Sequence, residues 1–194
     1  MAHPAGSEFL SVGGVATFSN RPVDKSATGY TLAASSGLLS GATSGAFSVG
    51  SGAATKLAFV VQPATAPAGS GITPAIQVAI QDANGNTVTT ATNQVTIAIG
   101  NNPGTSTLSG TATVAAVNGV ATFAGVSLDK VGTGYTLVAT SGGLTSATST
   151  AFDITVGSGL RLVFGVQPAN VAAGSMIAPA VVVRILSGIR PDPR

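Results

Sequence analysis

Four stretches of the chain carry residue types at spacings that could do chemistry. Ser127-Leu128-Asp129-Lys130 has the Ser-x-x-Lys spacing of a serine nucleophile with a lysine base, a motif that needs a helix to bring the two side chains together. Asp82-Ala83-Asn84-Gly85-Asn86 sets oxygen-bearing side chains at alternate positions, as a calcium loop does. Gly132-Thr133-Gly134 is a fragment of a glycine-rich nucleotide turn. Between residues 10 and 185 the carboxylates are Asp24, Asp82, Asp129 and Asp153, the only acids there from which a two-carboxylate glycosidase could be built. Ser-His-Asp catalysis has no histidine except His3, and the absence of cysteine removes thiol catalysis, zinc–thiolate sites and disulfides while leaving the redox compartment open.

Each chemical reading competes with a plainer one, and an internal repeat decides between them. Asp129-Lys130-Val131-Gly132-Thr133-Gly134-Tyr135-Thr136-Leu137 recurs upstream as Asp24-Lys25-Ser26-Ala27-Thr28-Gly29-Tyr30-Thr31-Leu32, every matched position differing by 105 residues. The same offset relates Gly14-Val15-Ala16-Thr17-Phe18 to Gly119-Val120-Ala121-Thr122-Phe123, and Phe47 to Phe152. It also relates Lys56-Leu57-Ala58-Phe59 to Arg161-Leu162-Val163-Phe164, and Val78 and Ile80 to Val183 and Ile185. A period of this length is that of a whole domain, longer than a solenoid unit.

Pro22 stands where the upstream copy should carry Ser127, while Asp24 and Lys25 persist, so the Asp-Lys pair reads as part of a turn and the nucleophile reading loses its support. Gly132-x-Gly134 lacks the rest of a dinucleotide fingerprint and a helix to follow it. The Asp82 loop lacks the distal bidentate glutamate of a calcium loop, and its Asn84-Gly85 reads as an ordinary tight turn; calcium at Asp82, Asn84 and Asn86 is the subordinate reading. Tyr135 and its counterpart Tyr30, with Asp129 and Gly134 beside them, read as structural: a tyrosine corner, in which the hydroxyl bonds the backbone a few residues upstream. No catalytic residues and no cofactor are expected.

The elements that must position these residues are strands. Leu57, Phe59 and Val61 alternate, as do Ile76, Val78 and Ile80, and Val95, Ile97 and Ile99, the period of two of half-buried strands. Asn84-Gly85 and Asn118-Gly119 mark tight turns, and Pro63, Pro67 and Pro74 keep the first strands near edges or bulges. No stretch shows helical spacing with caps. About seven strands of roughly five to eight residues are expected per repeat, the number in an immunoglobulin-like sandwich.

Composition bounds the partners. Only 7% of residues are charged and the net charge is +2, with the cations scattered, so a nucleic-acid interface has no basic patch to rest on. Apolar residues reach 44%, enough for a core, yet no apolar run reaches the length of a membrane span free of Gly and Pro. The N-terminus lacks the basic and apolar regions of a secretion signal.

Asp82-Ala83-Asn84-Gly85-Asn86, Leu108-Ser109-Gly110, Asn118 to Phe123 and Gly134 to Ala139 together resemble the bacterial immunoglobulin-like repeats of the invasin and intimin kind, over about residues 10 to 185. The resemblance implies an all-β fold of tandem sandwiches in extracellular or cell-surface proteins of bacteria, acting as stalks for a binding tip, and it brings no catalytic residues. The expected organisation is 1–9 as cloning residues, 10–55 as the later part of one repeat, 56–160 as a complete repeat, 161–185 as the first part of another, and 186–194 as a vector-derived tail. Gly6-Ser7-Glu8-Phe9 and Arg184-Ile185-Leu186 are what common cloning sites encode. Residues 10–50 and 161–185 should expose strand edges and apolar faces, and head-to-tail self-association through them is expected. Two rival functions are a carbohydrate- or protein-binding module using loops 82–86 and 101–106, against which stands the absence of tryptophan, and a weak hydrolase, for which no constellation of residues speaks.

Overall fold

Alternating apolar and polar residues lay the chain out in strands, and every helix or strand among the described residues is a strand. The computed structural model describes residues 13–18, 22–157 and 160–187. The expected cloning residues 1–9, His3 and positions 188–194 of the expected tail lie outside the described residues. Among the described residues no helix is long and apolar enough to cross a membrane. The chain divides into two compact units, Met1–Ser51 and Gly52–Arg194.

In the first unit β1 (Ala27–Tyr30), β2 (Ala33–Ala34), β3 (Ala42–Thr43) and β4 (Phe47–Val49) form two antiparallel pairs, β1 with β4 and β2 with β3. In the second unit the strands are β5 (Lys56–Val61), β6 (Ala66–Pro67), β7 (Ile76–Gln81), β8 (Gln94–Ile99), β9 (Leu108–Ser109), β10 (Thr113–Ala115), β11 (Val120–Phe123), β12 (Ser127–Leu128), β13 (Gly132–Tyr135), β14 (Leu137–Thr140), β15 (Ala147–Thr148) and β16 (Phe152–Thr155), followed by β17 (Leu160–Val166) and β18 (Val182–Ser187). A four-stranded sheet runs in the order β10-β8-β14-β15, and three-stranded sheets in the orders β11-β7-β5 and β13-β16-β6. Among the described residues the ladders are antiparallel except that of β16 with β6, and the isolated bridge of Lys56 with Thr145 is parallel too.

The inner faces of these sheets share one hydrophobic core, so residues 56–155 make an all-β sandwich. Val95 and Ile97 of β8 face Ile76, Val78 and Ile80 of β7 within that core, closed by Phe123, Tyr135, Leu137 and Phe152. The three alternating segments all lie on strands, β5, β7 and β8. The strands from β5 to β16 are more numerous and shorter than the expected seven, most having two to four residues. Local breaks account for the difference. The register shifts between Gly132 and Tyr135, and Thr136 separates β13 from β14, so one long strand becomes two that join different sheets. Asn118 and Gly119 both have positive φ (51° and 77°), as the tight turn between Val117 and Val120 requires.

Pairings recur at the same offset as the sequence. Ala27 pairs with Val49 and Tyr30 with Phe47, as Gly132 pairs with Ile154 and Tyr135 with Phe152. Leu162 pairs with Ile185 and Phe164 with Val183, as Leu57 pairs with Ile80 and Phe59 with Val78. Even the register irregularity after Phe59 has its counterpart after Phe164. Burial does not recur. Leu137 and Val78 are fully buried, whereas Leu32 is 63% and Val183 49% exposed.

Candidate functional site

The residues singled out above gather into two knots, each built on a carboxylate. The first closes the turn after β7. Asp82 Oδ1 accepts hydrogen bonds from the backbone N–H groups of Asn84 (3.0 Å) and Asn86 (2.9 Å), and Oδ2 accepts from the Gly52 N–H (2.8 Å) and the Asn86 side-chain amide (2.9 Å). The turn closes on itself through Asp82 N–H to Asn86 O and Gly85 N–H to Asp82 O. Asp82 is buried, and its carboxylate pins the segment before β5 to the turn. A calcium ion at Asp82, Asn84 and Asn86 would have to displace donors that already use both carboxylate oxygens. Among the described residues no group of three acids, histidines or cysteines lies close enough to hold a metal.

These donors hold the Asp82 carboxyl at about 2, below its ordinary value of 3.8, the Asn86 side-chain amide contributing most and the Gly52 N–H next. A folded-state value below the unfolded one means that the stabilisation is complete above about pH 5 and is lost as the pH falls from 3.8 towards 2. The carboxyl of Asp129 is lowered too, so acid weakens both knots together. Asp82→Asn removes this titration, and thermal melts between pH 7 and 2 should show a shallower fall in Tm for the variant than for the parent. Equal slopes would mean that the Asp82 bonds do not persist in solution.

The second knot is the tyrosine corner. The hydroxyl of Tyr135 donates to the backbone carbonyl of Lys130 at 2.8 Å, and its ring is fully buried 6.1 Å from that of Phe152. Tyr30 makes the same bond to Lys25 O at 3.0 Å and sits 5.9 Å from Phe47. Asp129 Oδ1 accepts from the Thr107 N–H (2.7 Å) and the Ser106 hydroxyl (2.9 Å), while Ser106 Oγ accepts from the N–H groups of Asp129 and Lys130. The Thr107 N–H is the main reason that the Asp129 carboxyl is lowered, followed by the Ser106 hydroxyl; Lys130, 3.7 Å away on the exposed side, contributes less. Gly134, with φ of +81°, donates its N–H to Asp153 Oδ1 and accepts from the Asn101 side chain.

This wiring weakens each chemical reading. Ser127 lies on β12, a strand that ends at Leu128, and Lys130 follows in a bend, so the helical geometry that joins Ser to Lys is missing. Asp82, Asp129 and Asp153 each hold backbone N–H groups. In the loops offered as a binding surface, Asp82, Asn86 and Ser106 are buried while Asn84, Asn101 and Asn102 are exposed, and the Asn102 side chain both donates to Ser106 O and accepts from Ser106 N–H. Among the described residues no buried side-chain nitrogen or oxygen lacks a hydrogen-bond partner, so the core holds no unmet polar demand for a ligand to fill.

Sequence reasoning missed the serine that clips the edge of the sandwich. Ser149 Oγ accepts from the Leu137 N–H at 2.9 Å, and Ser44 does the same for Leu32 at 2.9 Å. The signal was present, since both serines stand at the repeat offset, but serine is too common in this chain to stand out. Ser106 and Gly104 were missed for another reason. Their partners, Asp129 and Tyr135, lie more than twenty residues away.

No protein-family model matches the chain, and no curated protein matches it. Among solved structures, a β-glycosidase from Bacteroides vulgatus is similar over 59% of this chain and 15% of its own, at 19% identity and a TM-score of 0.44. At that level neither its fold nor its chemistry transfers to this chain.

Proposed function

We propose that this chain is a non-enzymatic segment of tandem immunoglobulin-like repeats from a bacterial surface or secreted adhesin-like protein, serving as a stalk module. One repeat spans 56–160, with later strands of another in 10–55 and first strands of a third in 161–185. The observation that carries this reading is the recurrence, at one offset, of the tyrosine corner together with its strand pairings. A repeat that keeps its corner and its ladders while changing the residues around them is selected for shape. The candidate chemical groups hold backbone contacts, as those of a structural spacer would.

A concatemer of residues 56–160 stretched in a force spectrometer tests the reading. Equal unfolding steps are expected, each releasing on the order of 350 Å of chain at roughly 3.3–3.6 Å per residue. Unequal steps, or extension without a force peak, would overturn it. Turnover of a glycoside or ester abolished by a single Asp or Ser substitution would favour the hydrolase reading instead.

A further inference from the structure

The strands that flank the central sandwich carry its apolar residues without its burial. Leu57, Ile72 and Val78 are at most 4% exposed, while their counterparts Leu162, Ile177 and Val183 are 71%, 50% and 49% exposed. Leu137 and Phe152 are 0% and 5% exposed, while Leu32 and Phe47 are 63% and 36% exposed. Large apolar faces of this kind on paired strands mark interaction surfaces. The central sandwich shows what fits them. Within it the counterparts of the two faces lie against each other along three seams. Val120 to Phe123 of β11 pair with Ile76 to Ala79 of β7. Leu57 and Thr55 exchange backbone hydrogen bonds with Thr145. Ile154 of β16 runs parallel to Ala66 of β6.

We propose that the open face formed by residues 13–18 and 22–49 in one copy of this chain takes the β17–β18 hairpin of a second copy, rebuilding between chains the seams that β5–β7 make with β11, β15 and β16 inside the central sandwich. The proposal rests on the repeat reading above. Its register follows from the offset: Ala16 opposite Val183 and Thr17 opposite Val182, as Ala121 is opposite Val78 and Thr122 opposite Gln77. Val49 would run beside Val171, as Ile154 runs beside Ala66. Among the described residues the two segments hold no counterparts of β8 to β10, so the junction rebuilds the β11-β7-β5 sheet and leaves the β10-β8-β14-β15 sheet without β10 and β8. The contact is head-to-tail, each copy offering two different faces, so it closes into rings or grows into filaments.

The test uses the full chain and two variants, Leu32→Asp and Val183→Asp, each placing a charge on one face. Both positions are exposed, and neither belongs to the central core. By light scattering over a concentration series, the parent should exceed the monomer mass increasingly with concentration, and each variant alone should stay monomeric. An equimolar mixture of the two should form a two-chain species and nothing larger, because one intact face remains on each. A parent monomeric at every concentration, a variant that associates as the parent does, or a mixture that stays monomeric would each overturn the proposal. Cysteine is absent from the parent, so disulfides give a second readout. Mixing Ala16→Cys with Val183→Cys under oxidising conditions should give the mixed dimer in excess over either homodimer; equal yields would overturn the register. A monomeric parent whose concatemer still unfolds in equal steps would remove this proposal and leave the repeat reading standing.

Discussion

Leu137→Ala is expected to lower the unfolding free energy by about 2–5 kcal/mol, while Leu32→Ala changes it by less than about 0.5 kcal/mol. The two leucines are the same residue at the same position of the repeat, each preceded by Gly-Tyr-Thr and each clipped at its N–H by a serine hydroxyl. They differ in what covers them. Leu137 is 0% exposed in the core shared by β7, β8 and β14, so truncation removes its transfer free energy and leaves a cavity. Leu32 is 63% exposed, so truncation removes contact mostly with water. Urea unfolding of the full chain, at a concentration where light scattering finds only monomer, measures both. Comparable costs would mean that Leu32 is covered within the chain.

Gly104→Ala is expected to cost about 1–3 kcal/mol or more, as overpacking a filled site does. A methyl group there would overlap the Tyr135 hydroxyl and come within 2.5 Å of the Val131 carbonyl oxygen. Both neighbours are held, the hydroxyl by its bond to Lys130 O and the backbone by the corner itself. Tyr135→Phe is expected to cost about 1–3 kcal/mol by stranding that carbonyl. Combined, the two substitutions should cost less than their sum, because losing the hydroxyl relieves one of the two overlaps. The double-mutant cycle, read by thermal or urea unfolding, decides it. Additive costs would show that Gly104 and Tyr135 act independently.

Much of the fold was legible because strand patterning is local. Residues 57–61, 76–80 and 95–99 announce strands through neighbours two positions apart, and β5, β7 and β8 lie there. Asn118-Gly119 announces its turn for the same reason, both residues accepting positive φ. The splitting of longer runs was not legible. Whether Thr136 continues β13 or separates it from β14 depends on which sheet each half joins, and the sheets are set by partners elsewhere in the chain. The site was legible in its residues and not in its wiring. Asp82, Asn86, Asp129 and Tyr135 could be named from spacing, but the Gly52 N–H that meets Asp82 lies 30 residues away and the Ser106 hydroxyl that meets Asp129 lies 23 away.

Taken alone, the sequence determined the strand alternation, the tight turns and the 105-residue offset that joins Asp24–Leu32 to Asp129–Leu137. Those properties reside in the order of side chains along a backbone of fixed period. Only the tertiary structure decided that the carboxylates which looked like chemistry hold backbone N–H groups, and that equivalent leucines and valines are buried in one place and open in another. Burial and hydrogen bonding depend on which distant strand arrives to cover a face, and two identical stretches of sequence can differ in that completely.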